Sequence, residues 1–336
     1  MAKKPDTTTA GAPIFVGVDD GFACTDIVVM EGGKVTKTLA IASRARSGVH
    51  GTTVIGGEAD GIVPCYETEG VQFTVGELAD AESARFNEYP FSAMNRAIVS
   101  HALRVAGLGG REVHIATGLP LSTFYKGDKP NAEVIERKHK SITTPVKAMD
   151  DAAMPIIVRH QVFPEGLAAW VDYAVGDDGK MRADADETVG VIDIGGRTTD
   201  VAVVLPGRRI DHARCGSADI GALNVVEAVR LALQQSTGYD LGGAVVEKAL
   251  RTRQLRMFGK VRDIGAEIDA AIAQSTDAVL REVNRRLGDG VDIDRILLVG
   301  GGAYLFKEVV KRYPNVTIPD NPEFANARGF AKYLSI

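Results

Sequence analysis

The sequence predicts an α/β protein built from two similar lobes. Three observations carry that expectation: apolar runs of strand length alternate with longer amphipathic segments, one short Asp-Gly turn pattern occurs twice, and 336 residues exceed one typical compact domain. The two copies of the turn pattern are Val16-Gly17-Val18-Asp19-Asp20-Gly21 and Val191-Ile192-Asp193-Ile194-Gly195-Gly196, and each is followed by a second β-type run. Asp19 and Asp193 are 174 positions apart, room for a whole lobe before the pattern returns.

Along the chain, Ile14 to Val18, Ile27 to Met30, Val113 to Thr117, Val189 to Ile194, Val201 to Leu205 and Arg295 to Val299 read as strands, being short, apolar and rich in β-branched residues. Helical spacing of apolar residues marks Ala93 to Ala106, Pro164 to Ala174, Ala222 to Gln235, Ile264 to Leu287 and Tyr304 to Tyr313. Met1 to Pro13, rich in Lys, Thr, Ala, Gly and Pro, lacks the apolar stretch of a signal peptide and reads as a disordered tail.

Composition narrows the function classes. With 45% hydrophobic and 25% charged residues, the chain has enough apolar material for a core without covalent staples. Cys24, Cys65 and Cys215 lie far apart, so neither a disulfide framework nor a zinc site is indicated, and a reducing cytoplasm is expected. A net charge of -5 argues against a protein that grips DNA by itself, because phosphate neutralisation needs a basic surface. No run reaches the roughly 18 to 20 apolar residues of a membrane helix.

The repeated turns carry the chemistry. Glycine after a strand accepts positive φ and lets backbone N–H groups approach an anion, while aspartate just before the turn suits a magnesium ion held through water. Two such turns describe a phosphate clamp. A third glycine element, Gly300-Gly301-Gly302-Ala303 directly after the strand ending at Val299, offers a flat surface for a base or ribose. Each motif alone is also an ordinary tight turn; their order and spacing carry the argument.

With these residues in hand, the chain from Ile14 onward resembles the actin, sugar-kinase and heat-shock-chaperone ATPases, and within them the plasmid-segregation actins of the ParM (StbA) family. Asp19-Asp20-Gly21 resembles the first phosphate loop, Asp193 to Asp200 the second, and Gly300 to Ala303 the adenosine motif. The runs Thr117-Gly118-Leu119-Pro120-Leu121-Ser122-Thr123-Phe124-Tyr125 and Ile135-Glu136-Arg137-Lys138 resemble ParM in particular, as do Phe163 to Gly166 and Asn326 to Phe330.

The resemblance implies an actin-like fold, two RNase H-like lobes with a nucleotide cleft between them: lobe I over 14–185 with 326–336 returning, lobe II over 186–325. It implies ATP and ADP as ligands and Mg2+ held through water by Asp193, with Asp19 assisting. Phosphate oxygens would meet the N–H groups around Asp20, Gly21, Phe22, Gly195, Gly196, Arg197 and Thr198, and Glu165 would orient the attacking water. Without the resemblance, Glu165 reads as a first-turn helix residue. Glu247 and Lys248 are the candidates beside the adenosine. One departure stands out: many members carry a lysine seven residues after the first aspartate, where this chain has Asp26, and Arg197, Arg44 or Arg46 are the candidate replacements.

The activity implied is ATP hydrolysis driving head-to-tail filaments that segregate plasmid DNA through a ParR-like adaptor, with DNA met only indirectly and no membrane. Two alternatives remain open on sequence: a non-polymerising nucleotide switch or chaperone-like module, and a small-molecule kinase of the same superfamily. Cell-shape actins are a further alternative, disfavoured by the character of the tail. The six histidines show no metal-ligand spacing, and Trp170, with Leu167 and Val171, reads as core.

Overall fold

A computed structural model describes residues 12–51, 64–76, 81–82, 84–182 and 186–336. Most of the expected N-terminal tail and the expected lobe boundary at 185 therefore lie outside the described residues.

The repeated motif generates the architecture. Ile14–Asp20 turns at Gly21 and returns as Cys24–Glu31, an antiparallel hairpin in which Asp19 stands opposite Asp26. Val189–Ile194 turns at Gly195 and returns as Thr199–Leu205, with Asp193 opposite Asp200. Each hairpin seeds a sheet of the same plan. In the first, the spatial order is Ile156–Pro164, Glu112–Leu119, Ile14–Asp20, Cys24–Glu31, Lys34–Ala42. In the second it is Val316–Thr317, Arg295–Val299, Val189–Ile194, Thr199–Leu205, Arg209–Ile210, with Gly216–Ala218 also paired to Thr199–Leu205. In both, the strand that opens the hairpin takes a parallel neighbour on its other side. These strands are buried on both faces, which explains their almost unbroken Val/Ile composition.

Each sheet has its own core. Val16, Val18, Ile27 and Val29 pack with Val99, Leu103 and Ile115 in the first. Ile192, Ile194, Val201 and Val203 pack with Val225, Val229, Ile268 and Val283 in the second. A further cluster crosses between them: Leu167, Trp170 and Val171 meet Val189, Val191, Ala202 and Leu297, so Trp170 is core, as its spacing indicates.

The helix Ala325–Ser335 follows the second sheet in the chain but packs on the first, through Ala327 and Ala331 against Val28 and Met30. Two glycines make this docking close. A Cβ on Gly17 would overlap the Ala327 carbonyl oxygen, and one on Gly329 would overlap that of Ala168.

Several boundaries differ from the sequence reading. Pro164 closes the strand Ile156–Pro164 and the helix opens only at Leu167, so Glu165 lies in a strand-to-helix turn and not in a first helical turn. The cause is Gly166, whose φ of 73° is incompatible with helical continuation. The segment 304–313 forms turns and a short 3₁₀ stretch, Lys307–Lys311, in place of a regular helix. Lys34–Ala42, half polar and largely exposed, and Ala132–Thr143 are a strand and a helix that apolar periodicity did not flag. Among the described residues, no helix is long and apolar enough to cross a membrane.

The glycine contacts generate a test. Gly329→Ala should force the final helix off Ala168 and lower unfolding stability by about 2–3 kcal/mol, the usual cost of overpacking a tight contact. Urea denaturation measures it; a change under about 0.5 kcal/mol would show that the helix does not depend on this approach.

Candidate functional site

The two hairpin turns face each other. Ala23 from the first and Gly196 from the second approach so closely that a Cβ on Gly196 would sit 2.7 Å from that of Ala23. Around this meeting point lies a cavity of about 180 Å³ lined by Asp19, Asp20, Gly21, Phe22, Gly195, Gly196, Arg197, Thr198, Gly300 and Gly301, together with Asp26, Gly118, Glu165, Asp193, Asp200, Glu323 and Asn326. Most of the residues singled out in the sequence are thus brought together.

The glycine turns are fixed from behind. Gly195 N–H donates to the Thr198 carbonyl at 2.9 Å, and the carbonyls of Gly195 and Gly196 accept from Ala222 and Leu223 at the start of the helix Ala222–Thr237. Gly300, at φ 86°, lets the third glycine element turn back against Asp193 and Ile194, where a side chain would collide. Gly302 and Ala303 are not in the cavity lining; the Gly302 N–H bonds Ile194 and Ala303 is fully buried in the core, so both support the turn from below.

The first turn is anchored through Asp20, whose carboxylate pairs with Lys138, a fully buried lysine of the helix Ala132–Thr143, and accepts from Asn95 Nδ2 at 2.8 Å. Lys138 also donates to the Pro90 carbonyl at 2.8 Å. The run Ile135 to Lys138 therefore acts at this site from a distance in sequence, a role that spacing alone cannot announce. The run Thr117 to Tyr125 joins the two halves: Leu121 N–H donates to Asp200 Oδ1 at 2.7 Å, and Ser122 and Ser217 bond reciprocally at 2.9 and 2.8 Å. Gly118 leaves the space that Glu165 occupies, since a Cβ there would lie 2.8 Å from Glu165 Oε1.

Electrostatically the cavity is a pocket of carboxyls. Burial, then repulsion from Asp26, pushes Asp19 up to about 7. Burial and the neighbours Asp19 and Asp200 push Asp193 up to about 8. Glu165 is raised well above the ordinary glutamate value by burial, followed by Asp19 and Asp200. Among the described lining residues the cation is Arg197, which is committed elsewhere: its guanidinium bonds Asp219 at 2.7 Å and Asn87 at 2.6 Å and lies 5.1 Å above the Phe22 ring.

The remaining candidates sit at the mouth or outside. Glu247 forms an ion pair with Arg44 across the cleft mouth and lines a neighbouring pocket with Phe22, Ala23 and Leu223. Lys248 is exposed and not part of either lining. Asp26 is buried, directed at the same cavity, and raised to about 7 by burial and then Glu323. Asn326, Glu323 and Asp200 are site residues that motif reading did not assign to the site: Asp200 closes one quoted run and Asn326 opens another, whereas Glu323 lies in none, and both Glu323 and Asn326 arrive from a segment more than 300 residues from Asp19.

The family profile described as plasmid segregation protein ParM, N-terminal, matches residues 14–175, and that described as archaeal actin homologue MreB-like, C-terminal, matches residues 191–312. The chain is an actin-like protein with a ParM-type first half. The solved structures similar to this actin-like protein agree in fold. The archaeal actin homologue Ta0583 superposes with a TM-score of 0.76 at 19% identity, covering 96% of this chain and 99% of that one. The 15-stranded ParM filament from Clostridium botulinum gives 0.74 at 20% identity, with 96% and 99% covered. Bacillus thuringiensis ParM with AMPPNP gives 0.64 at 12% identity, with 96% and 99% covered. No curated protein sequence matches the chain.

In this actin-like protein, Asp26 supplies a clean pH test. Its folded value of about 7 exceeds the unfolded value of 3.8, so the stability it contributes is present at low pH and is lost as pH rises between the two, levelling off above about 7. Asp26→Asn should therefore gain thermal stability over the parent progressively from pH 4 to pH 7 and hold a constant gain beyond. Melting curves across that range test it; a pH-independent difference would mean that Asp26 is not a buried ionisable group.

Proposed function

We propose that this protein is a magnesium-dependent ATPase whose nucleotide state controls head-to-tail assembly into filaments that segregate plasmid DNA through an adaptor. The observation that carries the reading is the convergence of Gly21, Gly195 and Gly300 with Asp19, Asp193 and Glu165 in one cavity between the two halves of an actin-like fold. Similarity to a ParM filament and to ParM with AMPPNP supports it.

We assign 14–185 and 326–336 to lobe I and 186–325 to lobe II. The N–H groups of the two hairpin turns receive phosphate oxygens, and Gly301 faces the adenosine. Among the described residues no three His, Cys, Asp or Glu side chains converge to bind a metal directly. The donor set nevertheless fits a hydrated divalent ion: Asp19 and Asp193 both accept from Asn326, and their carboxyls resist ionisation because they are buried and face other carboxyls, charge that a divalent ion would offset. These two carboxylates would hold Mg2+ through water, and the ion would there supply charge to neutralise the phosphates. Glu165, held in its turn by the bond from its own N–H to the Leu119 carbonyl at 2.9 Å, is the residue that orients and deprotonates the attacking water. Where a phosphate-facing lysine would stand, Asp26 adds a further buried carboxyl to the cavity lining.

Filament growth follows from lobe closure. Ligand that bridges the two turns favours the closed state, and a head-to-tail contact that does not close on itself propagates. An acidic chain meets DNA through a partner, here a ParR-like adaptor, and the setting is cytoplasmic.

Light scattering after addition of Mg2+ with ATP, ADP or a non-hydrolysable ATP analogue, followed by electron microscopy, tests the reading. A rise with ATP that decays as ATP is spent is expected. Glu165→Ala should lower kcat by at least about 100-fold and prolong the plateau, as expected on loss of a water-orienting base. Confirmed ATP binding with no scattering at any protein concentration would leave a nucleotide switch, and phosphate transfer to a small molecule would point to a kinase.

A further inference from the structure

Asn326 occupies an unusual position. It lies in the first turn of the helix Ala325–Ser335, is 4% exposed, and lines the cavity. Its Nδ2 donates to Asp193 Oδ2 at 2.7 Å and to Asp19 Oδ2 at 3.2 Å, while its Oδ1 accepts from the Gly166 N–H at 3.0 Å. One carboxamide thus touches the opening strand of the first sheet, the opening strand of the second, and the turn that carries Glu165.

We propose that Asn326 is a positioning residue that sets the spacing of Asp19, Asp193 and Glu165, joining the two halves at the point where the reaction takes place. The proposal rests on the roles given above to those three carboxylates. The chemistry leaves little choice of side chain. Two carboxylate oxygens require two N–H donors and the Gly166 N–H requires an acceptor; a carboxamide of this length offers both, whereas a carboxylate offers acceptors only. The amide orientation is consequently fixed by its partners. The backbone beneath it is fixed too, because Ala327 sits on Gly17 and Gly329 on Ala168, contacts too close to let the helix slide. Removing the amide leaves two buried carboxyls without a shared donor and frees the Glu165 turn by one bond, and displacements of this size cost reaction rate more than binding.

Three full-length variants test this without nucleotide and with it. Asn326→Asp places a third carboxylate against two others; it should melt several degrees below the parent in EDTA and regain most of the loss in millimolar Mg2+, more than the parent gains. Asn326→Ala should melt lower in EDTA and show no such recovery. Adding Asp193→Asn to Asn326→Asp returns one amide donor to the cluster but leaves Asp19 without one, and should recover part of the melting loss in EDTA, which keeps the test decisive if the single variant does not fold. In hydrolysis assays Asn326→Ala should lose about 10–100-fold in kcat with KM within about threefold, the pattern of an interaction that matters in the transition state.

Parental melting of both Asn326 variants in EDTA and in Mg2+, failure of the double variant to recover any of the loss, or a raised KM with kcat intact would each overturn the proposal. If the parent hydrolyses no ATP, the ATPase reading falls while the melting experiments still decide whether Asn326 ties Asp19 to Asp193.

Discussion

The structure is organised around the burial of carboxyl groups. Asp19, Asp26, Glu165, Asp193 and Asp200 share one cleft away from bulk water, and an ion in such surroundings needs compensating donors or a proton. Much of the architecture supplies them. Asp200 receives the Leu121 N–H and the Ser217 hydroxyl, Asp20 receives Lys138 and Asn95, and Asp19 and Asp193 share Asn326. These donors come from segments scattered over the whole chain, so the cleft acts as the point at which distant elements are held in register. A buried ion pair such as Asp20–Lys138 contributes little net stability against an apolar substitute, and its value lies in fixing geometry.

What the sequence disclosed and what it withheld follow from the range of the interactions. Both hairpins were legible because a strand, an aspartate and a glycine turn are local features with local causes, and their recurrence gave the two-lobed plan. The first strand runs past the expected Val18 only by Asp19 and Asp20, and the strand Val189–Ile194 has the expected bounds. Lys34–Ala42 was hidden because its exposed face is polar on an edge strand, where no apolar alternation is enforced. The helix expected from Pro164 failed at Gly166, whose positive φ of 73° breaks the helical path and leaves no trace in periodicity. Segment 304–313 carries helical spacing because Phe306, Val309 and Tyr313 are core residues, yet its backbone closes into 3₁₀ turns. Lys138, Glu323 and Asn326 could not be assigned by pattern, since each acquires its role from a partner far away in sequence.

The two halves share a plan but not a chemistry. The second turn is braced by a helix start, through Ala222 and Leu223, while the first is braced by a hydroxyl, Ser43 donating to the Gly21 carbonyl at 2.7 Å, and by the Asp20 ion pair. Arg197 reaches from the second turn to Asn87 and the Phe22 ring, and Arg44 reaches the other way to Glu247. The cleft mouth is therefore crossed by polar contacts at its rim, which exchange with water at low cost, while its floor is bound by buried ones.

The helix Ala325–Ser335 imposes an order on synthesis. The face of the opening strand that carries Gly17 is covered by residues made some 300 positions later, so the first sheet leaves the ribosome with that face bare and with Asp19 lacking its shared donor. The hairpin of the second sheet is complete well before this joint can form. Folding of the first half is thus tied to the arrival of a segment from beyond the second, a long-range closure that makes the two halves one cooperative unit and penalises any truncation that removes the late helix.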